Sequence, residues 1–112
     1  MASLFQSLKP PYYSVIFTSI LKQAHDGYTE MAQQMEKLAS QQPGYLGMDS
    51  VRNTEGMGIT VSYWKDETSI IAWKNNLIHL EAQKLGREKW YQQYSLHITR
   101  VERAYHSSEP NT

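Results

Sequence analysis

Apolar and polar residues follow two rhythms along this chain, and the switches between them mark its elements. The run YYSVIFTSI, Tyr12 to Ile20, is dense in β-branched and aromatic residues and predicts a strand. Tyr13, Val15 and Phe17 fall on one face and Ile16 and Ile20 on the other, the pattern of a strand covered on both sides. Beyond Asp26, a candidate N-cap, Tyr28, Met31, Met35 and Leu38 return at helical spacing beside Ala32 and Ala39. That helix runs to about Ser40, and Pro43-Gly44 ends it. YLGMDSVRN and GITVSYW, joined through Thr54, Glu55 and Gly56, predict a hairpin in which Ile59, Val61 and Tyr63 alternate against Thr60, Ser62 and Trp64. Asp66 and Thr68 lead into SIIAWKNN, and helical character is predicted to continue through LIHLEAQKLGREKWYQQY to Tyr94. SLHITRVERAY is the last strand, with Leu96 and Ile98 on one face and Val101 on the other after a register shift.

The predicted order, strand, helix, strand, strand, helix, strand, is the split βαβ arrangement of a ferredoxin-like α+β domain, here spanning residues 12–106. It places helices on one face of an antiparallel sheet. Residues 1–11 read as an N-terminal arm because Pro10 and Pro11 resist both helix and central strand, and residues 107–112 as a frayed tail.

The helical reading of residues 72–94 gives each side chain a direction. With Leu77 at zero and about 100° per residue, Glu81, Lys84 and Glu88 lie within about 40° of it. His79, Gln83, Gly86 and Trp90 fall between about 180° and 240°, on the face turned inward. A glycine inside a helix costs about 1 kcal/mol relative to alanine, so Gly86 signals close approach of a strand or a ligand. An inward histidine is more often a core residue with its ring nitrogens satisfied locally; the alternative is a neutral imidazole that exchanges protons with a ligand or binds a metal.

Composition narrows the chemistry. With 112 residues, 40% of them apolar, the chain makes one domain with a thin core, which favours self-association. Eleven basic and eleven acidic residues cancel, so neither a nucleic-acid groove nor an anionic membrane surface is expected. The absence of cysteine excludes disulfides, thiolate nucleophiles and iron–sulfur ligation. No signal peptide or membrane span is read, and the expected location is cytoplasmic.

His25, His79, His97 and His106 show no metal-ligand spacing, and neither a nucleophile elbow nor a dinucleotide fingerprint is present. A haem needs only one imidazole and is not excluded on that ground. The positive signal is aromatic: Trp64, Trp73, Trp90, Tyr63, Tyr91 and Tyr94 all lie in the second half. Such residues stock a small core, and together they also suit a cavity for a flat apolar ligand.

PGYLGMDSVRN with GITVSYW, then SIIAWK and the spaced His79, Ala82-Gln83, Gly86-Arg87, Trp90-Tyr91 and Tyr94, closely resemble the antibiotic biosynthesis monooxygenase domain superfamily, in particular its small uncharacterised bacterial members. The resemblance covers about Tyr12 to Tyr105. It implies a homodimeric α/β-barrel in which sheets pair face to face, with a cavity between helices and sheet where His79 and Trp73 are expected. It also implies three functional readings. The leading one is a monooxygenase without metal or flavin, acting on a small aromatic, quinol-like substrate. There His79 is the proton acceptor, Gln83 and Trp73 orienting donors, Trp90 a stacking wall, and Trp64, Tyr63 and Gly86 further substrate-binding residues. The second is haem degradation: Trp73 matches that branch, but its histidine falls here on Gln83 and its first-strand asparagine is missing from Tyr12 to Ile20. The third is a non-catalytic dimeric small-molecule-binding protein.

Overall fold

The computed structural model describes residues 8–107. Most of the expected arm, residues 1–7, and nearly all of the tail, residues 108–112, lie outside the described residues. Four strands, β1 (Tyr12–Leu21), β2 (Tyr45–Arg52), β3 (Met57–Trp64) and β4 (Tyr91–Val101), form one antiparallel sheet in the order β2-β3-β1-β4. Three helices accompany it: α1 (Tyr28–Ser40), α2 (Glu67–Lys74) and α3 (Leu77–Leu85). This is the ferredoxin-like α+β arrangement that the pattern predicts.

Register fixes which side chains share a face. Tyr13 pairs with Trp64 and Arg100, Val15 with Ser62 and Ile98, and Phe17 with Thr60 and Leu96. These residues point toward the helices, where Ala39, Ile70, Trp64 and Trp73 form the buried cluster, with Tyr13, Val15, Met35, Leu38, Tyr45 and Met48 packed on it. Odd and even positions of β1 separate as predicted, leaving Ile16, Thr18 and Ile20 on the other side with Val61, Ile59 and Met57. No described helix covers that side. Val51 there is 74% exposed and Ile59 47%.

The helix boundaries differ from the expectation in two places. The N-cap of α1 is Gly27 in a left-handed conformation, not Asp26; the Asp26 carbonyl instead accepts the indole N–H of Trp90 at 3.0 Å. The long second helix is also divided. Asp66 caps α2, its carboxylate accepting from the Ser69 amide at 2.8 Å, and α2 ends at Asn75 before α3 begins. After Leu85 the chain makes a π-helical turn, Gly86–Trp90, and then becomes β4.

The predicted helical segment Tyr91-Gln92-Gln93-Tyr94 is therefore strand. Ladder pairing with β1 decides it, since Leu21 pairs with Tyr91, Ile20 with Gln93 and Ser19 with Tyr94. Aromatic residues suit a strand at least as well as a helix, so local preference offered little resistance. The register irregularity lies at this end, between Ile20 and Leu21. Val101 reaches the opposite face from Leu96 and Ile98 by simple alternation, without the predicted shift.

Candidate functional site

The inner face of α3 lies where the helical wheel put it. His79, Ala82 and Gln83 are half-buried, while Glu81, Lys84 and Glu88 are exposed. His79 meets the last turns of α2: its Nδ1 lies 2.9 Å from the Trp73 carbonyl, and its ring centroid lies 4.6 Å from the Trp73 indole at 31°. A carbonyl only accepts, so Nδ1 carries the proton and a neutral ring presents Nε2 as a base. Burial holds the His79 pKa below its ordinary value, helped by the Lys74 charge and opposed by the bond to Trp73. The ring is therefore neutral near pH 7.

Trp73 lies stacked at 6.2 Å on Trp64. Trp64 is fully buried, donates its indole N–H to Ser62 Oγ at 2.8 Å, and meets Tyr45 edge-on at 5.6 Å. His79, Trp73 and Trp64 thus form one ladder from α3 through α2 into the sheet. Gln83, one turn beyond His79, lies half-buried on the same face of α3.

Three expected site residues lie elsewhere. Tyr63 follows Trp64's strand alternation onto the opposite side of the sheet, where its hydroxyl donates to Asp49 Oδ2 at 3.2 Å and its ring meets Tyr12 edge-on at 6.1 Å. Burial, followed by the Asp49 charge, pushes its pKa up to about 12. Trp90 is buried and edge-on to Tyr28 at 5.7 Å, so it buttresses that ring and offers no open face beside His79. Gly86 accommodates Tyr91: a Cβ at position 86 would lie 2.5 Å from the Tyr91 ring. The close approach that its presence signalled is made by an aromatic side chain of the chain itself.

Sequence reasoning missed a second aromatic group at the other end of the helix-facing surface. Phe17, Tyr28, Tyr91 and Tyr94 meet at centroid distances of 5.3–5.9 Å, and Arg52 approaches the Tyr28 ring at 5.3 Å. The hairpin does bring Arg52 opposite Gly58, a pairing countable from the turn, but nothing local reveals that Arg52 meets Tyr28 of α1. Between the two groups, β4 presents Leu96 and Ile98 on the helix-facing side, 43% and 47% exposed. An apolar strip thus stays open one strand out from Val15. Among the described residues, no three His, Cys, Asp or Glu side chains cluster to hold a metal ion. No described helix is long and apolar enough to cross a membrane.

The comparisons with known proteins agree with this fold. The family model described as antibiotic biosynthesis monooxygenase matches residues 11–85. The chain is 43% identical over 103 residues to the uncharacterised protein YqjZ of Bacillus subtilis, covering 92% of this chain and 90% of that one. It is 32% identical over 54 residues to a jasmonate monooxygenase of Pyricularia oryzae, covering 48% of this chain and 25% of that one. Among solved structures, SnoaB of Streptomyces nogalater, a cofactor-independent oxygenase, superimposes with a TM-score of 0.73 at 9% identity, over 85% of this chain and 97% of its own. A protein of Methanosarcina mazei gives 0.73 at 14% identity, over 82% and 94%. At such identities the structural matches speak for the fold alone, whereas the family model spans most of the domain. The chain belongs to the antibiotic biosynthesis monooxygenase family.

Proposed function

We propose that this protein is a cytoplasmic, homodimeric monooxygenase that oxidises a small aromatic, quinol-like substrate without a bound cofactor. The observation that carries the reading is the bond between His79 Nδ1 and the Trp73 carbonyl, which fixes the tautomer and presents Nε2 as a base. In the proposed reaction, the substrate's acidic C–H or O–H proton passes to Nε2. The resulting anion supplies the electrons that reduce molecular oxygen, the peroxide anion formed at the activated carbon takes the proton back from Nε2, and loss of water, with that carbon's remaining hydrogen, leaves a new carbonyl. Trp73 and Gln83 orient the substrate, Trp64 backs Trp73, and Leu96 and Ile98 hold the apolar body away from water. SnoaB, a cofactor-independent oxygenase of the same fold, supports this reading.

The uncovered side of the sheet supports the dimer. Val51, Met57 and Ile59 are exposed there, and a depression of about 320 Å³ beside them is lined in part by Thr18, Ile20 and Gln93. A second copy laid face to face would bury these groups.

Oxygen uptake on a panel of quinols and anthrones tests the proposal. His79→Ala should lower turnover by about 10²–10⁴-fold, the usual worth of a general base, with an unchanged circular dichroism spectrum. Unchanged oxygen uptake would overturn it.

A second reading, haem binding, draws on the same bond, because metal-bound imidazoles commonly donate their other ring nitrogen to a carbonyl. His79 would be the ligand, and the haem iron would supply the oxygen chemistry. Gln83 stands where the resemblance expects the histidine, which ranks this reading second. An unchanged free-hemin spectrum on titration with protein would remove it.

A further inference from the structure

Arg52, the last residue of β2, folds its side chain over the helix-facing end of the sheet. Its guanidinium rests on Gly58: a Cβ there would lie 2.5 Å from Cζ and 2.8 Å from Nε, so the seat exists only because position 58 has no side chain. Nη1 donates to the carbonyls of Gly56 at 2.5 Å and Ser19 at 3.3 Å. Nη2 donates to Ser19 Oγ at 2.7 Å and to the Tyr28 hydroxyl oxygen at 3.1 Å. The Tyr91 ring meets the Tyr28 ring edge-on at 5.8 Å, and its hydroxyl, near enough to feel the Arg52 charge, is held protonated above the ordinary phenol range chiefly by burial.

Every one of these acceptors is neutral. Among the described residues the one ion pair is Arg100 with Glu102, so Arg52 is a half-buried cation without an anion. Taking a cation out of water is costly unless an opposite charge meets it. Bracing the end of the hairpin against β1 and α1 explains the hydrogen bonds, but leaves the missing counter-charge unexplained. With the Nη hydrogens already donated, the guanidinium offers an arriving carboxylate its uncompensated charge and its Nε–H, beside phenol hydroxyls that can donate.

Its place in the fold says which molecule would bring that carboxylate. Ser19, bonded to Arg52, shares a face of β1 with Phe17, which meets Tyr91 at 5.3 Å, and with Val15, which packs on the Trp64–Trp73 cluster. From Val15 to Ser19 the strand spans about 13 Å. The strip that begins at Trp73 and His79 therefore ends at Arg52.

The geometry points to Arg52, together with the hydroxyls of Tyr28 and Tyr91, as the anchor for a carboxylate at the far end of an aromatic substrate whose ring meets Trp73 and His79. The inference rests on reading this strip as the substrate site. It makes the ligand class an aryl-alkanoic acid and gives Arg52 the role of a specificity residue.

Calorimetric titration of the full chain with 4-(1-naphthyl)butyrate and with its primary amide at pH 7 tests it. The acid should bind at least tenfold more tightly than the amide, and in Arg52→Gln the two should bind alike. Tyr28→Phe, which keeps the charge, should retain a preference reduced about threefold. Equal binding of acid and amide by the unaltered protein, which needs no variant to fold, overturns the inference, as does a full acid preference in a folded Arg52→Gln protein. The outcome is separable from that of the oxygenase reading: an acid preference with no oxygen uptake sinks the reaction and leaves the anchor standing.

Discussion

The imidazole of His79 is bound through Nδ1 to the carbonyl of Trp73, six residues earlier, and lies against the indole of the same residue. This double contact spans the break between α2 and α3. One residue thus sets the tautomer through its backbone and lowers water access through its side chain.

Stability and turnover should share a pH dependence traceable to this ring. Its pKa in the folded protein lies below the ordinary 6.5, so between the two values the unfolded chain binds more protons than the folded one. The stabilisation is fully present above pH 6.5 and is lost as pH falls through that window. Thermal melting points measured from pH 8 to 5 should fall more steeply below 6.5 for the unaltered protein than for His79→Gln, and turnover should hold to a lower pH than an ordinary histidine would allow.

Replacing Trp73 with leucine keeps the carbonyl but removes the indole that covers the imidazole and packs on Trp64. The large-to-small change should cost about 3 kcal/mol in denaturant unfolding. If burial is what depresses His79, its pKa followed by NMR should rise toward 6.5 in this variant.

Gly86→Ala tests the seat of Tyr91. Helix propensity alone favours alanine by about 1 kcal/mol, yet the new Cβ would lie 2.5 Å from a ring that Phe17 and Tyr28 hold in place. Overpacking of this kind costs about 1–3 kcal/mol, so chemical denaturation should show a net loss. Combining it with Tyr91→Ala should remove the penalty.

Ile59→Glu addresses the proposed dimer. Ile59 sits on the uncovered side of the sheet between Thr18 and Val51, where a charge costs nothing in a monomer but would be desolvated at an interface. Sedimentation should show a dimer for the unaltered chain and a monomer for the variant, with the melting point of the latter becoming independent of concentration.

Period and turn chemistry made the strand and helix order legible in the sequence, together with the two faces of β1 and the inward direction of His79, Gln83, Gly86 and Trp90. These follow from neighbours a few positions apart, which geometry ties together whatever the rest of the chain does. The π-helical turn and the start of β4 at Tyr91 were decided by pairing with β1 and by the Trp90 bond to Asp26, contacts across most of the chain. Tertiary packing also sorted the aromatic residues that a linear reading grouped together. It joined Trp64 to Trp73 and His79 and gathered Trp90 and Tyr91 with Tyr28, whereas strand alternation alone sets Tyr63 on the side of the sheet away from Trp64. Arg52 is the plainest case: no local pattern sets it apart, and only the sheet and α1 together bring Ser19, Gly58 and Tyr28 around one charge.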